Sequence, residues 1–283
     1  MGIFDKSERE YKRQRYREAQ RYLSEAKSEI AEGNRLIKNA KTELNSELER
    51  ARSAIDKQYN YKSEAAYSLK TTIIPTVLAF DKCDISSKIG FPSIESVQSL
   101  SSSLSLRSSL RGSDSILNDI IGYDPGAPLI SALSELFFTD EDYYEALDKR
   151  SEARTYKYKM QSASYELKSQ IETLVAMRQF INQEERLLRD LMNKVNRLSR
   201  ELEVGINATR LTKMEADRLH CFNAICKQII TLLQTEFLTD NGKISSAYKN
   251  VYDRLIQINQ GLPSSPTISS VDWTSILQFA IET

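Results

Sequence analysis

A seven-residue repeat between Tyr16 and Leu44 constrains the fold of this chain more than any other feature. Small residues occupy every second position of the repeat, and larger apolar residues occupy the positions between them (small: Ala19, Ala26, Gly33, Ala40; larger: Tyr16, Leu23, Ile30, Ile37, Leu44). Spacings that alternate between three and four residues are typical of a helix packed lengthwise on another helix. Since Ala and Gly have little or no side chain, the two backbones can approach closely along this seam, the row of positions that faces the partner helix. The pattern continues through Leu69, and Pro75 is expected to end the helix, so residues 1–74 are predicted to form a first long helix.

A second repeat supplies a partner for the first helix. Eleven of its thirteen seam positions are apolar, which makes the helical interpretation strong (Met160, Ala163, Leu167, Gln170, Leu174, Met177, Ile181, Glu184, Leu188, Leu191, Val195, Leu198, Leu202). Thr139 is a predicted N-cap and Gly205 a predicted C-terminal signal, which places the helix at 139–204. The polar residues Gln170 and Glu184 interrupt the seam, a feature that often fixes the register of paired helices. The two long helices are expected to pack antiparallel.

The rest of the chain is divided by its composition into shorter segments. Residues 75–138 carry few charges and contain a serine-rich stretch, and they are predicted to form a small head. Residues 205–260 contain two amphipathic patterns separated by Asn241-Gly242, which predicts a helical hairpin. A linker at 261–270 precedes a C-terminal apolar helix at 271–283. The predicted fold class is therefore all-α, an elongated antiparallel coiled coil or helical bundle with a small helical head.

Composition and motifs argue against several classes of function. Basic and acidic residues balance at 39 each, so the total charge does not favour nucleic acid as a partner, although basic residues and tyrosines alternate between residues 6 and 22. His220, Cys221 and Cys226 do not converge on one helix face, so we expect buried thiols and no metal site. Neither a phosphate-binding loop nor a catalytic spacing occurs, and we expect no enzyme activity and no cofactor. Three cysteines and the absence of an apolar N-terminal region favour a cytoplasmic location.

The layout of the chain resembles two groups of proteins. The features that carry the resemblance are the helix ending in TTIIPTVLAF, the low-charge stretch 89–138, the helix 140–204 and the sequence LLQTEFLTDNGKI. Bacterial coiled-coil proteins with a low-charge segment between two long helices share this layout, and so do the α-helical pore-forming toxins. The resemblance to the toxins implies insertion into a membrane through residues 71–138.

Two functional hypotheses follow. The first is a non-enzymatic interaction or scaffold protein that binds another protein or associates with itself through the long helices, with the tyrosine-rich long helices and the C-terminal helix as contact elements (C-terminal candidates: Trp273, Ile276, Leu277, Ala280). The second is a membrane-active effector whose apolar head meets lipid (candidates: Ile73, Ile74, Leu129, Ile130, Leu133, Phe137, Phe138). The serine-rich stretch fits either a short element lying on the bundle or a segment that changes its environment.

Overall fold

The structure is a computed structural model that describes residues 3–81, 140–206, 213–239 and 242–262. Four helices account for most of these residues: α1 (Ile3–Asp81), α2 (Asp140–Ile206), α3 (Lys213–Gln234) and α4 (Ser246–Gly261). Within these ranges the only β contact is a single antiparallel bridge between Leu238 and Ile244, in the connection between α3 and α4. The all-α class and the helical bundle predicted from the sequence are confirmed.

Helix α1 continues past Pro75, where the sequence pattern predicted that it would end. A proline inside a helix removes one backbone hydrogen bond and crowds the preceding turn. Here the residues around Pro75 are held by side chains of α2: Ile73 and Thr76 are buried, and the hydroxyl groups of Thr76 and Ser199 lie 2.7 Å apart. The packing on both sides of the proline compensates for the lost backbone bond, so the predicted helix end at residue 74 is wrong.

The chain divides into two compact units. Unit 1 comprises Met1–Arg50 and Asp119–Ala176, and unit 2 comprises Ala51–Asn118 and Met177–Thr283. In the described ranges, unit 1 is built from the first parts of α1 and α2. Unit 2 is built from the remaining parts of these helices together with α3 and α4. Each unit is described separately below.

The core of unit 1 is narrow. Among its described residues twelve apolar side chains are buried, and five of them are alanines (alanines: Ala19, Ala26, Ala40, Ala146, Ala153; larger: Ile30, Leu44, Leu48, Tyr156, Met160, Ile171, Leu174). A Cβ atom added at Gly33 would lie 3.3 Å from Cγ of Met160 and 3.4 Å from Cα of Lys157, a backbone atom of α2. The close approach of the two helices, predicted from the small seam residues, is therefore confirmed at Gly33. At the start of the pattern the predicted seam residue Tyr16 is exposed instead.

The two long helices run parallel within unit 1. Residue numbers along α1 and along α2 increase together from one contact to the next: Arg150 pairs with Glu25, and Lys157 pairs with both Glu29 and Glu32. In an antiparallel pair the numbers on one helix would fall as those on the other rise.

The same direction holds within unit 2. The side chain of Gln58 contacts Glu184, and farther along both helices Thr76 contacts Ser199. The antiparallel pairing expected from the sequence is therefore wrong. A heptad pattern places apolar residues on a seam but does not specify the direction of the partner helix, and the charged and polar pairs between α1 and α2 are those of the parallel arrangement.

Unit 2 has a much larger core, to which α3 and α4 contribute one face each. The two amphipathic patterns predicted in residues 205–260 turn their apolar faces inward. The apolar residues on the inner face of α3 are all buried (Leu219, Phe222, Ile225, Ile229, Leu232, Leu233), and so are four on the inner face of α4 (Tyr248, Tyr252, Leu255, Ile258), with Val251 partly buried against them. Gly242 has a φ of 69°, a conformation that glycine adopts without strain, in the turn before α4. The helical hairpin is thus closed over the parallel pair by apolar burial.

Candidate functional site

The main polar cluster of unit 2 is centred on the carboxylate of Glu184. This side chain interrupts the apolar seam of α2 and has no exposed area. Gln58 donates a hydrogen bond from Nε2 to Oε2 of Glu184 over 2.6 Å, and the hydroxyl of Tyr61 donates to the same oxygen over 2.6 Å. The hydroxyl of Tyr248 donates to Oε1. Both carboxylate oxygens are therefore engaged by side chains of α1 and α4.

Lys62 supplies the positive charge of this cluster. Its Nζ lies 3.3 Å from Oε1 of Glu184, and both side chains are fully buried. The ammonium group also lies 4.4 Å from the ring centroid of Tyr248 and 5.7 Å from that of Phe237, within the range of cation-π attraction. Burial lowers the pKa of Lys62, and the negative charge of Glu184 opposes this shift. The ion pair and the two rings replace the water that Lys62 gives up.

The two phenols in the cluster keep their protons at neutral pH. Burial raises the pKa of Tyr61 and that of Tyr248, and the neighbouring negative charge of Glu184 raises both further. Each phenol is therefore a hydrogen-bond donor to the carboxylate. The cluster joins α1, α2 and α4 at one level of unit 2, which is the arrangement predicted for a seam residue that fixes register.

Gln170, the second polar residue in the seam of α2, is different. Its side chain is half-buried in unit 1, and Oε1 accepts no hydrogen bond from any described residue. The structure gives this amide no contact that would set a register.

Unit 1 carries a row of exposed aromatic side chains on α2. Tyr144, Tyr158 and Tyr165 are exposed to 56%, 70% and 61%, and they are separated by multiples of seven residues. Seven residues are about two helical turns, so these rings share one face of the helix, with Ser151 filling the remaining position of the row. We call this the outer face: the central row and the two rows that flank it (central: Tyr144, Ser151, Tyr158, Tyr165; flanking: Leu147, Arg154, Gln161, Lys168 and Asp148, Thr155, Ser162, Ser169).

The outer face lies opposite the buried seam of α2 in unit 1. The buried residues recur at Ala146, Ala153 and Met160, two positions after Tyr144, Ser151 and Tyr158 respectively. Two positions along a helix correspond to a rotation of about 200°, which places the two rows on opposite sides. The tyrosines of the long helices are predicted contact elements, and the sequence signal that locates this row is a period of seven residues on the polar side of α2.

Arg15 holds the first tyrosine of the outer face. Its guanidinium group lies 4.8 Å from the ring centroid of Tyr143 and 5.3 Å from that of Tyr144, and it donates a hydrogen bond to the hydroxyl of Tyr144 over 3.2 Å. A third ring, Tyr11, lies 4.9 Å away. This arginine belongs to the basic run considered for nucleic acid, and the structure shows it engaged with rings of its own chain.

The structure places few of the site residues that were predicted from the sequence. Ile73 is buried in the core of unit 2, and Ile74 lies in α1 with a side chain outside the description. The other predicted contact residues lie outside the described residues (Leu129, Ile130, Leu133, Phe137, Phe138, Trp273, Ile276, Leu277, Ala280).

The expectations about the thiols and the membrane can be compared with the described part of the chain. Cys221 and Cys226 are buried and His220 is exposed, as expected. In the four described ranges no three potential ligands come together as a metal site. None of the described helices combines the length and the apolar character that crossing a bilayer requires.

Comparison with protein-family models, with curated proteins and with solved structures found no match to this chain. The function is therefore argued from the contacts, the burial and the surface of the described residues. Two features stand out from an ordinary helical bundle: the buried Glu184 cluster of unit 2 and the outer face of unit 1.

Proposed function

We propose that this protein is a helical interaction protein that acts by binding another protein, and that the outer face of unit 1 is the binding surface. The observation that carries this proposal is the exposure of Tyr144, Tyr158 and Tyr165 in one row. Tyrosine is enriched at protein interfaces because its ring buries a large apolar area while its hydroxyl group finds a polar partner. Aromatic side chains in line on one helix face mark a contact site more strongly than scattered single residues do.

The residues between the tyrosines support a protein partner. The outer face carries four small hydroxyl residues, all of them exposed (Ser151, Thr155, Ser162, Ser169). Surfaces made of tyrosine with serine bind proteins well, because the rings are rigid and the small hydroxyl groups adapt their hydrogen bonds. Only three of the twelve residues that define the face are charged (Asp148, Arg154, Lys168). Depletion of charge is typical of the centre of an interface.

The packing beneath the outer face supports presentation on a rigid element. Opposite the central row, Ala153 and Met160 are buried against α1, and Tyr156 donates a hydrogen bond to Oδ1 of Asn34 over 2.6 Å. Ion pairs between Lys157 and α1 lie at the edge of the same seam. A helix held in this way binds with little loss of conformational entropy.

The chemistry of unit 2 supports a structural role for its polar residues. Glu184 and Lys62 are the strongest candidates for acid and base chemistry in the described ranges, and both are fully buried with their charges paired. A catalytic carboxylate has to lie within hydrogen-bond distance of a bound substrate. The carboxylate of Glu184 instead accepts hydrogen bonds from Gln58, Tyr61 and Tyr248 and pairs with Lys62 inside the core, which favours a scaffold over an active site.

The proposal is tested by capturing partners of the full-length chain in the cells that express it naturally. The test variant is Tyr158→Glu with Tyr165→Glu, and the control is Tyr67→Glu, because Tyr67 is also 70% exposed but lies on α1 in unit 2. We expect the test variant to capture at least about tenfold less of each protein partner than the unmodified chain does, because a charge buried in an interface costs several kcal/mol. Equal capture by the test variant and the unmodified chain would refute the assignment of the binding surface.

A further inference from the structure

The part of α2 that belongs to unit 2 has a solvent-facing side whose chemistry differs from that of the outer face in unit 1. Its exposed and half-exposed residues form three rows with a spacing of seven, which we call the arginine face (central: Gln179, Arg186, Asn193, Arg200; flanking: Asn182, Arg189, Asn196 and Gln183, Asp190, Arg197). The positions two residues after the central row are buried (Ile181, Leu188, Val195, Leu202). Two positions correspond to a rotation of about 200°, so the arginine face points away from the core of unit 2.

The arginine face carries an excess of positive charge. Its ten residues are four arginines, five amides and one acid, and none of them is apolar or aromatic. The acid, Asp190, is already engaged: its Oδ2 lies 3.1 Å from Nζ of Lys194 and accepts a hydrogen bond from Nδ2 of Asn259 over 2.8 Å. The balance of charge over the whole chain therefore conceals a local excess of cations on this face.

Two of the four arginines can meet an external anion without breaking an existing contact. Arg186 and Arg200 are exposed, and neither pairs with another residue in the described part of the chain. Arg189 is different, because its Nε lies 3.1 Å from Oε1 of Glu185 and its Nη2 lies 3.5 Å from Oε2 of Glu64. The central row of the face therefore presents two unpaired guanidinium groups about 21 Å apart along the helix.

The composition of the arginine face distinguishes between classes of anionic partner. The centre of a protein interface is enriched in aromatic residues, and a helix at a membrane surface needs an apolar side next to its cations. Single-stranded nucleic acid is bound largely by stacking of its bases on aromatic side chains. The arginine face offers none of these. Arginine, asparagine and glutamine are instead the side chains that contact the phosphates of duplex DNA and the base edges in its major groove.

We propose that the arginine face of unit 2 binds double-stranded DNA through the phosphate backbone, as a second activity beside the protein binding proposed for unit 1. The face from Gln179 to Arg200 is about 32 Å long at the helical rise of about 1.5 Å per residue, close to the length of about 34 Å of one turn of B-DNA. Duplex DNA carries one negative charge per about 1.7 Å of its axis, so several phosphates lie within reach of the arginines. Binding through so few contacts is expected to be weak, independent of base sequence and strongly dependent on salt.

The first test titrates a short, fluorescently labelled DNA duplex with the full-length chain and measures fluorescence anisotropy at several salt concentrations. The logarithm of the dissociation constant should rise linearly with the logarithm of the salt concentration, with a slope of about three. Arg186→Gln with Arg200→Gln should raise the dissociation constant at low salt about tenfold or more and lower the slope by about two, because two phosphate contacts are lost. A chain that does not bind the duplex at low salt, or a double variant that binds it like the unmodified chain, overturns the proposal.

The matched control is Arg13→Gln with Arg17→Gln, which removes the same charge from exposed positions of α1 in unit 1. Circular dichroism should show unchanged helix content for both double variants, because all four side chains are exposed. The control variant should keep the slope of the unmodified chain. Since Arg13 and Arg17 belong to the basic run near the N-terminus, loss of binding in the control variant alone would place the DNA contact there and overturn the assignment to the arginine face.

The second test identifies the class of partner by competition. Unlabelled duplex DNA, single-stranded DNA and polyglutamate are added at equal total charge to the complex of the full-length chain with the labelled duplex. Unlabelled duplex should displace the label at a concentration at least about tenfold lower than the other two competitors, because its charge density is higher and the face has no rings for stacking. Equal displacement by polyglutamate or by single-stranded DNA overturns duplex DNA as the partner, while the capture experiment decides the proposed function separately.

Discussion

Units 1 and 2 are built on the same pair of parallel helices but are stabilised in different ways. The described part of unit 1 buries twelve apolar residues, five of them alanines, and partly exposed ion pairs lie beside them. Unit 2 adds α3 and α4 and buries a large apolar cluster around the fully enclosed pair of Lys62 and Glu184. Apolar burial contributes about 25 cal/mol per Å², so most of the stability of the chain is expected in unit 2. The comparison shows that one heptad pattern can support both a large apolar core and a pair of helices that buries little apolar area and displays an exposed surface.

The small apolar area that unit 1 buries affects its dynamics. Exposed ion pairs contribute at most about 1 kcal/mol each, and alanine contributes little buried area. Regions with few buried apolar contacts open at lower free energy than the global unfolding of a protein. Backbone amides of α1 in unit 1 are therefore expected to exchange hydrogen faster than those of α1 in unit 2, and peptide-resolved hydrogen exchange distinguishes the two units.

The largest effect is expected from Glu184→Ala. The substitution removes the acceptor for Gln58, Tyr61 and Tyr248 and leaves Lys62 buried without its counter-charge. Loss of one member of a buried ion pair costs about 3 to 5 kcal/mol. Hydrogen exchange in the α1 peptides of unit 2 measures this loss, and the α1 peptides of unit 1 should change far less.

Two further variants sharpen the interpretation of the cluster. Glu64→Ala removes an exposed carboxylate of α1 whose contact with Arg189 spans 3.5 Å, and it should cost less than about 1 kcal/mol. The double variant Glu184→Leu with Lys62→Met removes both buried charges and should be less destabilised than Glu184→Ala, because no charge is left unpaired. A Glu184→Ala protein as stable as the Glu64→Ala control would show that the cluster does not hold the helices in register.

The next effect is expected in unit 1 at Gly33. A leucine there has to displace Met160 and the backbone of α2, since a Cβ atom alone already lies 3.4 Å from Cα of Lys157. Overpacking of this kind costs about 1 to 3 kcal/mol. Ser28→Leu places the same side chain at an exposed position of α1 and serves as the control. Faster exchange in unit 1 for Gly33→Leu alone would support the close approach, whereas equal behaviour of the two variants would contradict it.

A smaller, pH-dependent effect is expected from Lys157→Met. Hydrogen bonds to Glu29 and Glu32 raise the pKa of Lys157 to about 12 from its ordinary 10.5, and Lys157 lowers the pKa of Glu32 below its ordinary 4.5. A raised lysine pKa stabilises the folded state fully below pH 10.5, and this contribution is lost as the pH rises through about 12. The lowered pKa of Glu32 adds a contribution that is present above pH 4.5 and is lost as the pH falls below that value.

The melting temperatures of the unmodified chain and Lys157→Met should therefore differ near neutral pH and converge towards both extremes. Added salt should reduce the difference, because the pair is partly exposed. Lys159→Met, which removes an exposed charge two positions along α2, is the control and should show no such profile. A difference that does not change up to pH 12 would contradict the assignment.

The sequence predicted those parts of the fold that depend on periodicity. Most of the seam of α1 and α2, the close approach at Gly33 and the inner faces of α3 and α4 follow from apolar spacing, and the structure confirms them, whereas Tyr16 at the start of the seam is exposed. Helix direction and the passage through Pro75 did not follow, because both depend on side chains about 120 residues away that complete the contacts. Periodicity is local information, whereas orientation is decided by which polar residues meet.

The candidate surfaces were predictable to different degrees. Glu184 was recognised as a polar interruption of an apolar seam, but its partners Gln58, Tyr61 and Lys62 could not be identified without the direction of pairing. The row of Tyr144, Tyr158 and Tyr165 has a clear sequence signal, a period of seven out of phase with the buried seam. An exposed row of tyrosines contributes nothing to the core, so a search for core residues passes over it.

The parallel direction of α1 and α2 has a consequence for how this protein folds. The side-chain hydrogen bonds between the two helices join residues 120 to 129 positions apart in the sequence, from Tyr61 with Ile181 to Arg15 with Tyr144. A helical hairpin can zip up from its turn, but here every such bond closes a loop of more than a hundred residues. Folding rate falls as the sequence separation of contacts grows, so this chain should fold more slowly than a helical bundle of the same length whose neighbouring helices are joined by short turns.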